Sequence, residues 1–539
     1  MSHPFQPEPV RVLCFAWPNP PSSNEKRSNS MHLPFTFKSL RPLMSVSLLA
    51  MSLATSGCAM KPEPLAEQDF ATYAGDKFER LTLDQEPVHG SIDLYEAMAR
   101  ALKYNLDYKV EMMQTALKIR ELDLSTYKML PNFVANSGYT ARNNVAASTS
   151  QSVLTGKQSL EVSTSQDRHN FANDLTLSWN VLDFGLSYIR AKQAGDEALI
   201  ANEMRRKVVN RVIEDVRTAY WRALASEHLV ARHRGLEGRV RSAMAESRKL
   251  FDDRQTSPVA ALTYERELIE IKRELQRMEG ELKSAHAQLA ALMNVDPGKR
   301  FRLARAPVVM PSSGLTPERM IRTAIENRAE LREVAYRSRI NEKEATAALL
   351  ELLPGVNLYA GGSADTNSFL YNNSWVGWGA KASWNLMRVF QYPATKDRIE
   401  AQDQLLDQKA LAVTMAVMTQ VHVARARHIH SKRELGTSQE YLNVQRRLIG
   451  QMRAQAQTDK LSQQTLVREE MNLLVAEVRH DMALANAENT YANLFASMGV
   501  DPLHAGLDLN TDVATLSKSL RQAWSTRGTI TGMQHVAQN

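Results

Sequence analysis

The stretch LSWNVLDFG, residues 177–185, ends in Asp183-Phe184-Gly185, a triplet that supplies a magnesium-binding aspartate in protein kinases. Phosphoryl transfer needs several further groups in a fixed order, because an aspartate alone cannot position ATP. The sequence lacks them: there is no Gly-rich loop after an early strand, no strand lysine in a Val-Ala-Ile-Lys context and no His-Arg-Asp segment before Asp183. The triplet therefore does not predict a phosphotransferase.

Other residues that could do chemistry are equally isolated. His428 and His430 are two positions apart, so on a helix they point to different faces and do not predict a metal site. The sequence has no triad-like order of Ser, His and Asp, no phosphate-binding loop and no cysteine cluster. We therefore expect no catalytic residue, no metal and no cofactor. Of the functions considered, an enzyme is the least favoured.

The composition is that of a folded protein that does not bind nucleic acid. The 539 residues are 43% hydrophobic and 23% charged, with a formal charge of +7. Basic and acidic residues are interspersed, as in ERELIEIKRELQRMEGELK at 265–283. This pattern indicates a solvated helix face, whereas a nucleic-acid interface needs a basic stripe.

The N-terminal region has the pattern of an export signal. Two basic residues, Lys38 and Arg41, precede the apolar run Leu43–Thr55. That run is too short for a membrane anchor, since crossing a bilayer takes about 20 residues. The Pro- and Ser-rich residues 1–30 are not needed for export, so Met31 is a candidate start.

The signal ends at Cys58, where TSGC resembles the lipobox of bacterial lipoproteins. The resemblance implies that the cysteine is acylated and becomes the mature N-terminus. Thr55 stands where a leucine is usual, so ordinary cleavage nearby is the alternative. Ala59 is not the aspartate of an inner-membrane retention signal, so the implied location is the outer membrane. The other cysteine, Cys14, lies in the leader, which excludes a disulfide within the mature chain.

A tandem repeat organises the rest of the sequence. Two pairs of stretches match: LSWNVLDFG with ASWNLMRVF (382–390), and LMNVDP (292–297) with SMGVDP (497–502). In each copy the matched Trp and the matched Pro are 118 residues apart. Upstream, KMLPNF pairs with ELLPGV, and in both the Leu-Pro pair is expected to end a helix. The equal spacing indicates that the two copies share a fold.

Each copy carries a predicted β-hairpin between the Leu-Pro pair and the Trp. Apolar residues alternate with polar ones, as in Leu175, Leu177 and Trp179 of the first copy. One apolar face fits a membrane β-barrel strand, with lipid on one side and water on the other, and it also fits a soluble half-buried hairpin. The predicted strand and membrane-interface residues are Trp179, Trp375, Trp378 and Trp384.

After the Trp, each copy predicts a very long helix, a turn and a shorter return helix. The apolar stripe between Val209 and Leu224 has helical spacing and belongs to a helix of about 65 residues, or about 100 Å. The return helix and the helix before the Leu-Pro pair together nearly match it, so two short helices stacked end to end are expected to pair with one long rod. Gly185 is expected to ease the bend from strand into helix, with Asp183 near the helix N-terminus.

In this ordered combination, residues 91–502 resemble the TolC-like outer-membrane factor family, of lipoprotein type. The resemblance implies a mainly α-helical fold with a membrane β-barrel portion. In a homotrimer, four β-strands per chain would form a twelve-stranded barrel, and a long antiparallel coiled-coil α-helical tunnel would continue it into the periplasm. The expected divisions are a leader and signal peptide (1–57), an N-terminal tail (58–90), two repeats (91–313 and 314–502) and a polar C-terminal tail (503–539).

The implied function is passive passage through the exit duct of a tripartite efflux pump or a type I secretion system. The implied partners are two further copies of the chain, a periplasmic adaptor protein, an inner-membrane transporter or secretion ATPase, and outer-membrane lipid. The alternative is a periplasmic or surface coiled-coil lipoprotein with structural or adhesive work and no pore.

In that family the duct is narrowest at the periplasmic tip, where aspartates ring the opening. The matching positions are Thr465 and Arg468, and Ala260 and Thr263 in the first copy, so an aspartate ring is not predicted. The candidate tip and gate residues are Asp459, Lys460, Thr465, Arg468 and Arg254. Arg468 is expected to face the lumen, and a solvated helix pair is the alternative for this region.

Overall fold

A computed structural model describes residues 63–81, 83, 85–252, 257–299, 301–305, 314–457, 463–500 and 509–526. The chain divides into two units, residues 1–76 and 77–539. Helix α1, Glu67–Arg80, crosses that boundary and has no buried residue. All other described elements belong to the second unit.

Helices form most of the described part of the second unit. In chain order, its elements are β1 (Ser91–Ile92), α2 (Leu94–Tyr104), α3 (Leu106–Tyr127), β2 (Asn132–Ala141), β3 (Ala147–Ser148), β4 (Ser163–Thr164), β5 (His169–Asn180), α4 (Val181–Asp252), α5 (Pro258–Leu292), β6 (Arg302–Leu303), α6 (Pro317–Asn327), α7 (Ala329–Leu350), β7 (Gly355–Asp365), β8 (Ser374–Ser383), α8 (Met387–Ala456), α9 (Gln463–Ser497) and α10 (Val513–Thr526). In the described ranges, every helix is too short or too polar to serve as a membrane span.

Two long rods and two sets of shorter helices carry the repeat. The rods α4 and α8 have 72 and 70 residues, which is about 105–110 Å at 1.5 Å per residue. Helices α5 and α9 have 35 residues each, and α3 and α7 have 22 each. Helices α3 and α5 pack along α4, while α7 and α9 pack along α8 and also along α4. The predicted pairing of two short helices with one long rod is therefore present in both copies.

The short helices meet end to end at two places, which we call the first and second junctions. At the first, where α5 ends and α3 begins, Asn105 Nδ2 donates to the carbonyl oxygen of Leu292 at 3.1 Å. The side-chain oxygen of Asn105 also caps α3 by accepting from Tyr108 N at 3.0 Å. At the second, where α9 ends and α7 begins, Arg328 Nη1 donates to the carbonyl oxygen of Ala496 at 3.3 Å.

The repeated NVDP and GVDP stretches are C-caps of the return helices. Asn294 and Gly499 occupy equivalent positions, and both have left-handed backbone, with φ of 56° and 70°. The next residue in each copy closes the cap, since Val295 N donates to Ala290 O at 2.8 Å and Val500 N to Phe495 O at 3.2 Å. Gly and Asn are the residues that adopt this conformation most readily, which explains why the two copies differ there only between these types.

In the described residues, the core consists of three apolar clusters. The first joins α2, the middle of α4, the end of α5 and α10, with Met98, Val216 and Leu289 among its members. The second lies where α4, α5 and α9 meet, and the third joins α6, α8 and the end of α9. Burying one leucine or methionine side chain stabilises the fold by about 1.5–3 kcal/mol, so these clusters hold the helices together.

Residues 513–526, which sequence analysis placed in a polar tail, form helix α10. Its buried side chains follow helical spacing: Val513, Leu516, Leu520 and Trp524. The spacing of three and four residues between them was the readable signal for this helix. Helix α10 packs against α2 and so belongs to the first cluster.

Candidate functional site

The four long strands form one antiparallel sheet in the order β2-β5-β7-β8. The hairpins of the two repeats are joined by the pairing of β5 with β7. The register sets Leu177 opposite Phe133 and Ala360, and Ala360 opposite Trp378. Because directly opposed residues share a face of the sheet, the alternation predicted within each strand aligns across all four.

The two faces of this sheet differ in polarity. The apolar face carries Phe133, Leu175, Leu177, Trp179, Leu358, Val376, Trp378, Ala380 and Ala382. The opposite face carries Asn136, Asp174, Thr176, Ser178, Asn357, Ser363 and Lys381. The apolar side chains are open to solvent in a single chain, with Trp378 78% and Val376 71% exposed. An exposed apolar face of this size is typical of a surface that contacts lipid or another protein.

Aromatic rings lie at both ends of the apolar face. At the end near the helices, the rings of Trp179 and Phe184 are 5.5 Å apart, and at the loop end those of Tyr139 and Phe171 are 4.7 Å apart. From Phe171 to Trp179 the strand rises about 27 Å, at about 3.4 Å per residue. Strands of outer-membrane barrels tilt by about 35–45°, so this length would span about 19–22 Å of height, close to the apolar band of about 25 Å between their two aromatic girdles.

The predicted tryptophans occupy three kinds of position. Trp179 in β5 and Trp378 in β8 lie on the apolar face, as expected. Trp375 lies in β8 opposite Ser363, on the polar face. Trp384 directly follows the end of β8, and its Nε1 donates to the carbonyl oxygen of Leu352 at 2.9 Å. That hydrogen bond draws the indole towards the start of the hairpin, so the expectation that Trp384 lies within the strand is corrected by one residue.

The passage from strand to rod occurs at Asn180. Its Oδ1 accepts a hydrogen bond from Leu182 N at 3.0 Å, so α4 begins at Val181. Asp183 lies in the first turn as expected, where the helix dipole favours a carboxylate. The role expected for Gly185 is corrected, because the side-chain cap at Asn180 starts the helix before the glycine is reached. The equivalent residue, Asn385, accepts from Met387 N at 3.2 Å but lies one residue before the N-cap of α8, which is Leu386.

Near the tip, α5 and α9 are linked by polar contacts. Tyr264 Oη donates to the carbonyl oxygen of Gln464 at 2.9 Å, and burial raises the pKa of Tyr264 to about 12. Arg468 Nη1 donates to Glu267 Oε2 at 3.0 Å, and its Nε donates to Glu469 Oε1 at 3.3 Å. The side chain of Arg468 is one-third exposed and ion-paired, so its charge is partly neutralised.

The remaining tip candidates are divided between described and undescribed parts of the chain. Thr465 is half-buried in α9, while Ala260 and Thr263 in α5 are exposed and half-buried. Arg254, Asp459, Lys460 and the lipidation candidate Cys58 lie outside the described residues. The leader 1–57 also lies outside them.

Sequence analysis missed a buried ion pair beside the first junction. Arg217 Nη2 of α4 donates to Glu488 Oε2 of α9 at 2.7 Å, and the two side chains are 1% and 2% exposed. The guanidinium carbon of Arg217 lies 4.0 Å from the ring centroid of Trp524. Helix α10 therefore covers the pair through a cation–π contact. The glutamate is distant in sequence from the arginine, so no local pattern could have identified the pair.

In the described part of the chain, no group of three or more His, Cys, Asp or Glu side chains is placed to hold a metal ion. His428 lies against Tyr491, with ring centroids 5.6 Å apart, and burial lowers the pKa of this histidine. The His428 ring therefore packs within the helical layer.

Solved structures of outer-membrane channels have this fold. The Campylobacter jejuni CmeC outer membrane channel matches with a TM-score of 0.61 and 11% identity, over 88% of this chain and 98% of its own. The open state of the Neisseria gonorrhoeae MtrE outer membrane channel matches with a TM-score of 0.58 and 13% identity, over 76% and 89%. CusC, described for its transmembrane channel formation, matches with a TM-score of 0.58 and 18% identity, over 78% and 96%.

No protein-family model and no curated protein matches the sequence. The resemblance drawn from the tandem repeat is confirmed at the level of the fold by the solved structures. These neighbours are described as channels and not as enzymes, in agreement with the expectation of a non-catalytic function.

Proposed function

We propose that this chain, which has the fold of outer-membrane channels, is one of three identical subunits of an export duct in the outer membrane. The four-stranded sheets would close into a twelve-stranded barrel, and the rods would continue it as a tunnel in the periplasm. The sheet carries this proposal, because it combines one exposed apolar face with two edges that have no neighbouring strand in the described chain.

Strands β2 and β8 form those edges, and each pairs on one side only within the described residues. In lipid an unpaired backbone N–H or C=O costs several kcal/mol, because no water reaches it. Four strands are too few to close on themselves, since the smallest outer-membrane barrels have about eight. Pairing of β8 with β2 of the next copy removes both edges, and three copies give the closed ring that the family resemblance implies.

The helical layer has matching open edges. Helix α3 carries a stripe of side chains that are between 44% and 68% exposed: Leu106, Val110, Met113, Leu117, Leu124 and Tyr127. Their spacing of three, four or seven residues is that of a coiled-coil seam. At the other edge, in the half of α8 that pairs with α7 and so lies at the level of α3, Leu405, Leu411 and Met415 are between 58% and 63% exposed. A head-to-tail contact between copies would cover both stripes, and repetition of that contact would close a ring.

Within this duct, passage needs no catalytic group, so the pump at the inner membrane would supply both energy and cargo choice. A periplasmic adaptor would link the tip of the duct to an efflux transporter or a secretion ATPase. Acylation at Cys58 would anchor the N-terminus in the outer membrane. Thr465 and Arg468 are the gate candidates among the described residues, and the pairing of Arg468 with Glu267 would lessen its effect on permeating ions.

The proposal is tested with the full chain extracted from outer membranes. We expect a trimer by light scattering with detergent correction, and step conductances when the protein is added to planar bilayers. A matched pair of variants tests the sheet: Ala360→Arg puts a charge on the apolar face, and Ser178→Arg puts it on the polar face. Arginine on the lipid side costs about 2–4 kcal/mol at the membrane centre, so only Ala360→Arg should reduce assembly in the membrane.

A folded protein that remains monomeric and produces no conductance would reject the duct and favour the coiled-coil lipoprotein without a pore. Equal tolerance of arginine on the two faces would show that neither face meets lipid. Mass of the mature N-terminal peptide tests Cys58 separately, because a diacylated cysteine and an ordinary cleavage product differ in mass.

A further inference from the structure

A basic cavity of about 480 Å³ lies beside the second junction. Helices α4, α7, α8 and α9 contribute to its walls. Five cationic side chains line it, namely Arg206, Lys207, Arg211, Arg328 and Arg427. Two carboxylates, Glu214 and Glu330, face the same space. The lining therefore has a clear excess of positive charge.

Three of these cations have little compensation. Arg427 is exposed and makes no ion pair with any described residue. The ammonium group of Lys207 is 3.9 Å from Glu330 Oε1, and a guanidinium nitrogen of Arg211 is 4.0 Å from Asp107 Oδ2. At these distances, and with more than half of the Lys207 and Arg211 side chains exposed, the pairs neutralise little of the positive charge.

The two carboxylates do not balance the rest. Glu330 is already held by Arg328, with its Oε1 and Oε2 accepting from the guanidinium at 2.9 and 3.0 Å. Burial raises the pKa of Glu214, and the nearby Asp215 carboxylate raises it further. Even with both carboxylates ionised, five cationic side chains outnumber them around this space, so the cavity remains electropositive.

The cavity faces away from the first apolar cluster. On α4 the lining residues Lys207, Arg211 and Glu214 lie on successive turns of one face. Val209, Val216 and other members of that cluster lie on the opposite face, which packs against α2. Around this part of α4, one side is therefore covered by α2 and the other side carries the basic cavity. In the proposed duct, the side away from α2 would face the lumen, where solutes pass.

We propose that this cavity binds a small oxyanion, either a carboxylate or a phosphate. Guanidinium groups recognise both through paired, charge-assisted hydrogen bonds, and several arginines around one space favour a multiply charged ligand. The placement of the site inside the duct rests on the proposed function, whereas the binding does not. In a trimer the site would occur three times and form a basic belt at the level of the second junction.

Isothermal titration calorimetry tests the binding on the full-length protein in detergent at low ionic strength, because salt screens exposed charges. One arm uses inorganic phosphate and the other citrate. We expect saturable binding of at least one, near one site per chain, and the arm that saturates identifies the source of the oxyanion. Arg427→Glu should weaken that binding at least tenfold, and Arg211→Gln should weaken it several-fold.

Lys409→Glu is the matched control. Lys409 is exposed on α8, makes no ion pair with a described residue, and lies 18 residues before Arg427. Five helical turns separate the two, so they share a face about 27 Å apart. This variant should bind like the unmodified protein. Arg427→Gln, with circular dichroism and oligomer size as folding checks, guards against loss of structure in the charge reversal.

Absence of saturable binding in both arms would overturn the inference, and so would equal binding by Arg427→Glu. An equal loss in Lys409→Glu would show that helix charge in general, and not the cavity, attracts the anion. These results are independent of conductance: a protein that conducts but does not bind either anion retains the proposed function and loses this site.

Discussion

The two junctions are built from equivalent segments but are enclosed differently. At the first, the Asn105 amide closes the gap to Leu292, and Asn294 Nδ2 donates to the carbonyl oxygen of Leu81 at 2.8 Å. Helices α2 and α10 pack beside it. At the second, the Gly499 backbone lies directly against Asn327 and the basic cavity opens next to it. The rods have nearly equal lengths in the two copies, and α6 is the equivalent of α2, so α10 is the described helix that encloses only the first junction.

Equivalent positions make this difference concrete. Trp179 and Trp384 are 205 residues apart, and the same offset places His422 at the position of Arg217. Arg217 is completely buried in its ion pair with Glu488, whereas His422 is exposed. The side chain at this position is therefore part of the core in the first copy and exposed to solvent in the second.

The largest expected effect comes from this pair of positions. Arg217→Ala removes the guanidinium that donates to the buried Glu488 carboxylate, and breaking a buried ion pair costs about 3–5 kcal/mol. His422→Ala, its exposed counterpart, should change stability by less than about 0.5 kcal/mol. Thermal unfolding followed by far-UV circular dichroism measures both. Similar melting temperatures for the two variants would mean that the first junction is not sealed as described.

A smaller effect is expected from the two left-handed caps. A Cβ on Gly499 would lie 2.8 Å from the carbonyl carbon of Asn327, at a backbone φ of +70°. Gly499→Ala should therefore destabilise the protein by about 2–3 kcal/mol through strain and contact. Asn294→Gly keeps the conformation and loses one side-chain hydrogen bond, so it should cost no more than about 1 kcal/mol. A reversed order of melting temperatures would contradict the tight contact at the second junction.

Much of the architecture could be predicted because each element of the repeat occurs twice in the sequence. The 118-residue spacing, the Leu-Pro stops and the strand alternation predicted the rods and the hairpins. Helix α10 was missed although Leu516, Leu520 and Trp524 are spaced like a helical stripe, because a single short element has no second copy. The Asn180 cap was not predicted, because Gly185, which lies close by, is also a residue type that permits a bend.

The candidate sites were less predictable than the fold. The ion pair of Arg217 and Glu488 joins residues 271 positions apart, so it depends on tertiary packing. The basic cavity likewise draws its charges from three separate parts of the chain, around Lys207, Arg328 and Arg427. Periodicity predicts which face of a helix is apolar, but it does not predict which charged faces will meet across the layer.

The helix starts at the two junctions provide a third test. Asn105 caps α3 with its side chain, whereas the equivalent end of α7 begins at Arg328 without a side-chain cap. Asn105→Ala should cost about 1–2 kcal/mol, since the cap and the bond to Leu292 are both lost. Arg328→Ala should cost less, because its contacts are partly exposed. Hydrogen exchange should show faster opening of the first turn of α3 in Asn105→Ala, and no acceleration there would argue against the cap.

The smallest effect depends on pH and on a charge that only the first repeat carries. Glu214 lies in α4, its equivalent in α8 is Thr419, and burial together with Asp215 raises the pKa of Glu214. A raised carboxyl pKa means that the folded state favours the neutral form, so this stabilisation is present in acid and is lost as pH rises through the raised pKa. Glu214→Gln keeps a neutral side chain at every pH. It should therefore raise the melting temperature at pH 7 relative to the unmodified protein and leave it unchanged at about pH 4. Thr419→Ser should show no such dependence, and a pH-independent shift in Glu214→Gln would mean that packing, and not the buried charge, sets the difference between the two copies.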